Sequence, residues 1–121
     1  MLFGEYINKK RQQKGKTLRG FAEELDISPS YLSDIENGNR SAPNQDVLNK
    51  MIELLELNKE ESNKLLDLAA ASKETVADDL KEMINENETL RDFLRRLRDS
   101  HSGDEWYVIF DRMLQMVDDK Q

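Results

Sequence analysis

The segment Ser28–Gly38 restricts the fold of this chain more than any other part of the sequence. Ser28 followed by Pro29 is a typical helix start, because serine caps the first amides and proline suits the first turn. Gly38 is a typical helix end, since glycine readily takes the left-handed conformation of a C-terminal cap. The segment therefore predicts one short helix with well-defined ends.

The two sides of this helix differ in chemistry. Leu32 and Ile35 lie on one side, where they are predicted to be buried. The other side has polar residues at helical spacing, namely Ser30, Ser33, Asp34 and Asn37. Short polar side chains let a helix approach another surface closely, and all four can form hydrogen bonds. This outer face is the strongest candidate binding surface in the sequence.

Apolar residues recur at helical spacing before and after this segment. The spacing predicts helices over residues 2–14, 18–25, 45–56 and 60–71. Gly15 ends the first of them and Thr17 caps the second. No part of residues 2–71 has the alternating pattern of a strand. Five short helices predict a compact all-α domain with one core, and we assign it residues 1–73.

The chain has the layout of a helix-turn-helix, because a short helix is followed by the tight turn Asp26-Ile27 and then by the polar-faced helix. In this motif the second helix enters the DNA major groove. Residues 5–71 resemble the Cro/lambda-repressor-type helix-turn-helix family, also called the XRE family. The resemblance rests on TLRGFAEELDISPSYLSDIENG (17–38) and, behind it, on Pro43 and the apolar helix QDVLNKMIELLEL. It implies a five-helix lambda-repressor-like DNA-binding domain with a C-terminal helical extension.

The resemblance also implies which residues contact double-stranded DNA. They are Thr17, Leu18, Arg19, Ser28, Pro29, Ser30, Tyr31, Ser33, Asp34, Asn37 and Arg40. Pro29, Ser30 and Asp34 would lie nearest the base edges. Phosphates would meet the backbone amides around Thr17 and Leu18, where the helix dipole attracts anions.

A further pair matches the family pattern without facing DNA. Arg11 and Glu36 stand where the family has a pair that joins the first helix to the end of the third. We interpret this pair as structural, because a partly buried ion pair fixes geometry more than it adds stability.

The sequence departs from the family pattern at three points. Leu18 stands where many members have a phosphate-binding glutamine, and Asp26 replaces the usual glycine of the turn. Asp26 would then have to adopt a left-handed backbone conformation. The recognition helix has no Lys or Arg, so it cannot make the common bidentate contact with guanine. Attraction for phosphate must come from flanking residues such as Lys14, Lys16 and Arg19.

Charge is unevenly distributed along the chain. The net charge of −7 alone argues against a nucleic-acid partner. However, residues 1–20 contain six basic side chains and one acidic side chain, whereas residues 59–121 contain 10 basic and 16 acidic ones. This asymmetry indicates two functional regions.

The C-terminal extension, residues 74–121, is predicted to mediate dimerisation or another interaction. Residues 80–97 show an a/d pattern of the coiled-coil type, in which Asn87 at an a position would fix the register. A last helix over 104–118 has a wide apolar face. The candidate dimer residues are Leu80, Met83, Asn87, Leu90, Leu94, Leu97, Trp106 and Phe110. Alternatively, the stripe of residues 80–97 packs on the chain's own domain.

Other functions find little support in the sequence. The absence of cysteine excludes disulfides and thiolate zinc sites and favours a reducing, cytoplasmic location. No stretch is long and apolar enough for a membrane span. The single histidine, His101, is interpreted as a capping or surface residue. We see no catalytic constellation, metal-ligand set or phosphate loop, and we therefore expect no enzyme activity and no cofactor.

These observations predict a sequence-specific DNA-binding transcriptional regulator. It would act as a homodimer, as a repressor at an inverted-repeat operator, because two recognition helices about one DNA turn apart multiply the discrimination. The alternative is an antitoxin-like or adaptor module, in which the C-terminal extension binds another protein and DNA binding is secondary.

Overall fold

The computed structural model describes residues 1–100 and 103–119, and it has eight α-helices and no strand there. The helices are α1 (Phe3–Gln13), α2 (Leu18–Glu24), α3 (Pro29–Glu36), α4 (Gln45–Leu54), α5 (Lys59–Ser72), α6 (Asp78–Glu86), α7 (Glu88–Ser100) and α8 (Gly103–Asp118). The prediction of an all-α fold is confirmed. His101 lies outside the described residues. The chain divides into two compact units, one ending at Asp78 and the other beginning at Asp79.

Side-chain caps define where α2, α3, α4 and α5 begin. The side chains of Thr17, Ser28, Asn44 and Asn58 each accept a hydrogen bond from the backbone amide three residues further on, at 2.8–3.1 Å. Each cap satisfies an amide that has no partner within its helix. At Asn58 the cap is reciprocal, because the Glu61 carboxylate accepts from the Asn58 amide at 3.0 Å.

Left-handed residues end these helices. Gly15 and Gly38 have φ values of 69° and 80°, and Asp26, in the turn between α2 and α3, has φ of 58°. Asp26 therefore adopts, within this turn, the left-handed backbone conformation that glycine usually adopts. Helix α4 ends at Leu54, slightly earlier than predicted, because Glu56 has φ of 51° and cannot continue the helix.

The core of the first unit lies between α1, α2, α3, α4 and α5. Its most deeply buried large side chains are Ile7, Phe21, Leu25, Leu32, Ile35, Met51, Leu55 and Leu65. Helix α1 crosses α3 closely at Gly4, where a Cβ atom would lie 2.3 Å from the Ile35 carbonyl oxygen. Only glycine permits this approach, which fixes the position of α3 within the domain.

The second unit contains the rest of α6 together with α7 and α8. The predicted stripe over 80–97 is interrupted, because the helix breaks at Asn87. The Asn87 side chain accepts a hydrogen bond from the Leu90 amide at 2.9 Å, and it thereby caps α7. The expectation of one uninterrupted a/d seam with Asn87 inside it is wrong, because this asparagine starts a new helix.

Within the described part of the chain, no helix combines the length and the apolar character needed to cross a membrane.

Candidate nucleic-acid interface

Helix α3 presents its polar face outward. Leu32 and Ile35 are 0% and 1% exposed, so its apolar face is fully buried in the core. On the opposite face Ser30 is exposed, and Ser33 and Asp34 are half-buried. The short polar side chains that the sequence singles out therefore lie at the surface of the domain, where another molecule can reach them.

An ion pair joins α1 to the last residue of α3. The Arg11 Nε and Nη2 atoms donate to the two carboxylate oxygens of Glu36 at 2.9 and 3.0 Å. The remaining Arg11 donor, Nη1, binds the Lys16 carbonyl oxygen at 2.9 Å, and Asn8 donates to Glu36 at 2.7 Å. The side chains of Arg11 and Glu36 are 11% and 4% exposed. This buried, bidentate pair fixes the orientation of α3 relative to α1.

Three residues at the starts of α2 and α3, namely Thr17, Leu18 and Ser28, serve the fold itself. The Thr17 and Ser28 hydroxyls accept from the Gly20 and Tyr31 amides as helix caps. Leu18 packs against the core and is only partly buried. Pro29 is exposed in the first turn of α3.

Arg40 lies close to the recognition helix. Its guanidinium carbon is 5.6 Å from the centre of the Tyr31 ring, within the range of a cation–π interaction. Its backbone amide donates to the Asp34 carbonyl oxygen at 3.3 Å. Asn37, one turn after Ser33, donates from Nδ2 to the Ser33 hydroxyl at 3.3 Å. The C-terminal end of α3 thus has an exposed arginine that the helix itself orients.

Most of the N-terminal lysines are neutralised by the domain's own carboxylates. Lys14 pairs with Glu56 at 2.6 Å, and Lys16 pairs with Glu24 at 3.1 Å. The hydrogen bond from Lys14 lowers the pKa of Glu56 below its ordinary value, as expected for a carboxylate that stays ionised beside a cation.

Lys10 is paired in the same way. It forms an ion pair with Glu61, and its hydrogen bond lowers the pKa of that carboxyl group. The pairing reduces the positive field that the sequence indicates for residues 1–20. Among the residues that the structure describes, Arg19 and Arg40 form no ion pair, and both are exposed. These two arginines are therefore unpaired cations close to α2 and α3 that can bind phosphate.

The candidate dimer residues fall into two groups. Leu97 is 7% exposed and thus buried, and the half-buried Trp106 donates from its ring nitrogen to the Leu97 carbonyl oxygen at 3.1 Å. Asn87 is used as a cap, and Leu90 is half-buried. The exposed members are Leu80, Met83, Leu94 and Phe110.

No group of three or more His, Cys, Asp or Glu side chains in the described residues has the arrangement needed to hold a metal ion.

Comparison with known proteins agrees with this geometry. Residues 7–61 match the family model described as Helix-turn-helix. No curated protein matches the chain.

The chain is also similar to two solved structures. One is the clp gene regulator ClgR from Corynebacterium glutamicum, with 28% identity, coverage of 82% of this chain and 89% of that chain, and a TM-score of 0.47. The other is a complex of the SinR and SinI proteins, with 22% identity, coverage of 99% and 100%, and a TM-score of 0.50. The second likeness concerns the fold alone.

Proposed function

We propose that this protein, whose residues 7–61 form a helix-turn-helix domain of the Cro/lambda-repressor (XRE) type, represses transcription by binding an inverted-repeat operator as a homodimer. The family match of this domain supports a DNA-binding transcriptional regulator. The repressor role, the operator symmetry and the homodimer are our proposal. We place the protein in the cytoplasm, where it would have access to its operator DNA.

One observation supports this function above all others. The polar face of α3 is open to solvent while its apolar face is fully buried. A helix held in this way can enter the major groove without rearrangement of the domain. Ser30 and Asp34 would then lie nearest the base edges, and Asp34 can accept a hydrogen bond from cytosine N4.

Contacts with the DNA backbone would flank this helix. Arg40 would bind phosphate beyond its C-terminal end together with Asn37, and the Tyr31 ring would keep the arginine in place. Arg19, near the start of α2, would meet the backbone on the other side, beside the amides of Thr17 and Leu18. Such contacts fix the register of the protein on DNA, whereas the serine and aspartate side chains read the bases.

The dimer surface that we propose lies on α6 and α7. Leu80, Met83 and Leu94 are 38%, 52% and 37% exposed, although large apolar side chains are normally covered. A second copy that covers them would bring two recognition helices onto one operator. Leu97 and Trp106 would support this surface from within the unit.

The alternative function is an antitoxin-like or adaptor module with secondary DNA binding. It is favoured by the many exposed apolar residues of α8.

The salt dependence of DNA binding separates the two functions. A regulator that neutralises several phosphates loses affinity steeply with salt, with a slope of log K against log salt of about −0.9 per phosphate contact.

Selection of bound sequences from a random DNA pool tests the proposed function. We expect an enriched inverted repeat whose half-sites are about 34 Å apart, centre to centre, because two symmetric subunits would read successive major grooves on one side of the duplex. Enrichment of single, unpaired half-sites would contradict the homodimer. Recovery of a pool without any consensus would contradict sequence-specific regulation.

A further inference from the structure

Helix α8 has two apolar rows, of which only one is half-buried, and Val108, Met113 and Met116 are exposed as well. Trp106 and Ile109 belong to the inner row and are half-buried, with the Trp106 ring nitrogen bonded to the Leu97 carbonyl oxygen. The outer row contains Tyr107, Phe110, Leu114 and Val117, which are 71%, 38%, 59% and 56% exposed. We call these four residues the outer row.

The outer row has the spacing of a helix-packing seam. Its members follow one another at steps of three, four and three residues, which is the a/d repeat by which one helix packs on another. Four large apolar side chains in one continuous row are an unusual exposed patch for a protein surface. The spacing indicates that the missing partner is a helix.

Carboxylates along one flank indicate the charge of that partner. With Tyr107 at an a position, Asp104, Asp111 and Asp118 all fall at e positions, seven residues apart. All three are exposed, and none has an ion-pair partner among the residues that the structure describes. Charges at e positions determine which partner helix a seam accepts, so this flank favours a basic helix.

A second copy of α8 does not supply that helix. In an antiparallel pair, e positions face each other and would bring aspartate against aspartate. In a parallel pair, e positions face g positions, which are Trp106 and Met113 here. Neither arrangement provides a cation for the aspartates.

Three of the four arginines of α7 are engaged within their own helical unit, and the fourth, Arg95, is exposed. Arg91 donates to the Ile84 carbonyl oxygen at 2.9 Å. Arg96 pairs with Asp92, and Arg98 pairs with Asp99. A second copy's α7 would therefore have to give up existing interactions at three of its arginines, and Arg95 alone cannot pair with all three aspartates of α8.

We propose that the outer row of α8 and its aspartate flank form a docking site for a basic amphipathic helix of another protein. The apolar row would supply most of the affinity, and the three aspartates would select a helix with Lys or Arg beside its own apolar stripe. This site goes beyond DNA binding and does not depend on it, because it lies in the second unit and uses none of the residues of α3.

A pair of designed peptides tests the site with the full-length protein. Each peptide is a fluorescently labelled helix of about three heptads with leucine at a and d positions. One has lysine at its e and g positions, and the other has glutamate at the same positions. We expect fluorescence anisotropy to show binding of the lysine peptide at least about tenfold tighter than that of the glutamate peptide.

Two variants of the protein locate the binding. Leu114→Ser removes an exposed apolar contact. It is expected to weaken binding of the lysine peptide by about tenfold without unfolding α8. The triple variant Asp104→Lys/Asp111→Lys/Asp118→Lys is expected to reverse the preference in favour of the glutamate peptide. A matched triple variant, Glu23→Lys/Glu53→Lys/Asp67→Lys, changes the net charge equally at exposed positions outside α8 and should keep the original preference.

Three results would overturn the proposal. The first is equal binding of the two peptides by the unmodified protein. The second is an equal change of preference in the matched triple variant, which would mean that net charge alone attracts the peptide. The third is dissociation of a homodimer by Leu114→Ser in sedimentation experiments with peptide binding unchanged, which would mean that a second copy occupies the outer row.

Discussion

Gly4→Ala is expected to destabilise the N-terminal unit by about 3 kcal/mol, near the upper end of the cost of overpacking a core. The added Cβ would lie 2.3 Å from the Ile35 carbonyl oxygen and 2.6 Å from the Glu36 carbonyl oxygen. Both atoms belong to the backbone of α3, so no side chain can move aside to relieve the clash. Helix α1 must shift away from the recognition helix or α3 must move. Urea denaturation followed by circular dichroism measures the loss of stability.

Gly103→Ala is the matched control for this variant. A Cβ at Gly103 would meet nothing within 4 Å, and the residue lies in the first turn of α8. The control should therefore be neutral or stabilising by less than about 1 kcal/mol, because alanine lowers the entropy of the unfolded chain. An equal effect of the two substitutions would contradict the close α1–α3 crossing.

Arg11→Met is expected to cost about 4 kcal/mol of stability, the cost of leaving one member of a buried ion pair without its partner. Glu36 is 4% exposed and would lose both guanidinium hydrogen bonds, keeping only the one from Asn8. The Lys16 carbonyl oxygen would lose the Arg11 donor as well. Denaturation midpoints of the variant and of the unmodified protein measure the effect.

Two further variants define the origin of this loss. Arg96→Met removes an arginine whose partner, Asp92, is one turn away on the same helix, with both side chains more than half exposed. It should cost less than about 0.5 kcal/mol. The double variant Arg11→Met/Glu36→Leu should recover at least about half of the loss, because it removes the uncompensated buried charge. If Arg11→Met costs no more than Arg96→Met, the pair does not hold α3 in place.

The helices of the N-terminal unit could be predicted from the sequence because their boundaries are set locally. Thr17, Ser28 and Gly38 act through their own backbone neighbours, and periodic apolar residues identify the buried faces. The polar face of α3 could be found in the same way, since Leu32 and Ile35 determine which side points inward.

The pairing of the basic residues could not be predicted in this way. Lys10 meets Glu61, 51 residues away, and Lys14 meets Glu56, 42 residues away. Such contacts depend on how α1 lies against the ends of α4 and α5, and no local pattern specifies it. The sequence therefore overstates the positive charge that residues 1–20 offer to DNA.

The break at Asn87 was missed because one residue type fits two roles. An asparagine at an a position of a seam and an asparagine at a helix cap have the same sequence neighbourhood when apolar residues continue on both sides. In the structure the Leu90 amide donates a hydrogen bond to the Asn87 side chain, so Asn87 is a helix cap. Glu88 directly after Asn87 suits a helix start, since acidic residues are favoured in the first turn.

The central claim is that the outer side chains of α3 contact base edges, and Asp34→Ala tests it most directly. The variant, the unmodified protein and the charge-matched control Asp46→Ala are titrated with the selected operator and with operators substituted at each half-site position. We predict that Asp34→Ala lowers discrimination at one symmetric position by about tenfold, because one base contact is lost, and leaves the other positions unchanged. Unaltered discrimination at every position, or an equal loss of affinity for all sequences, would contradict the account.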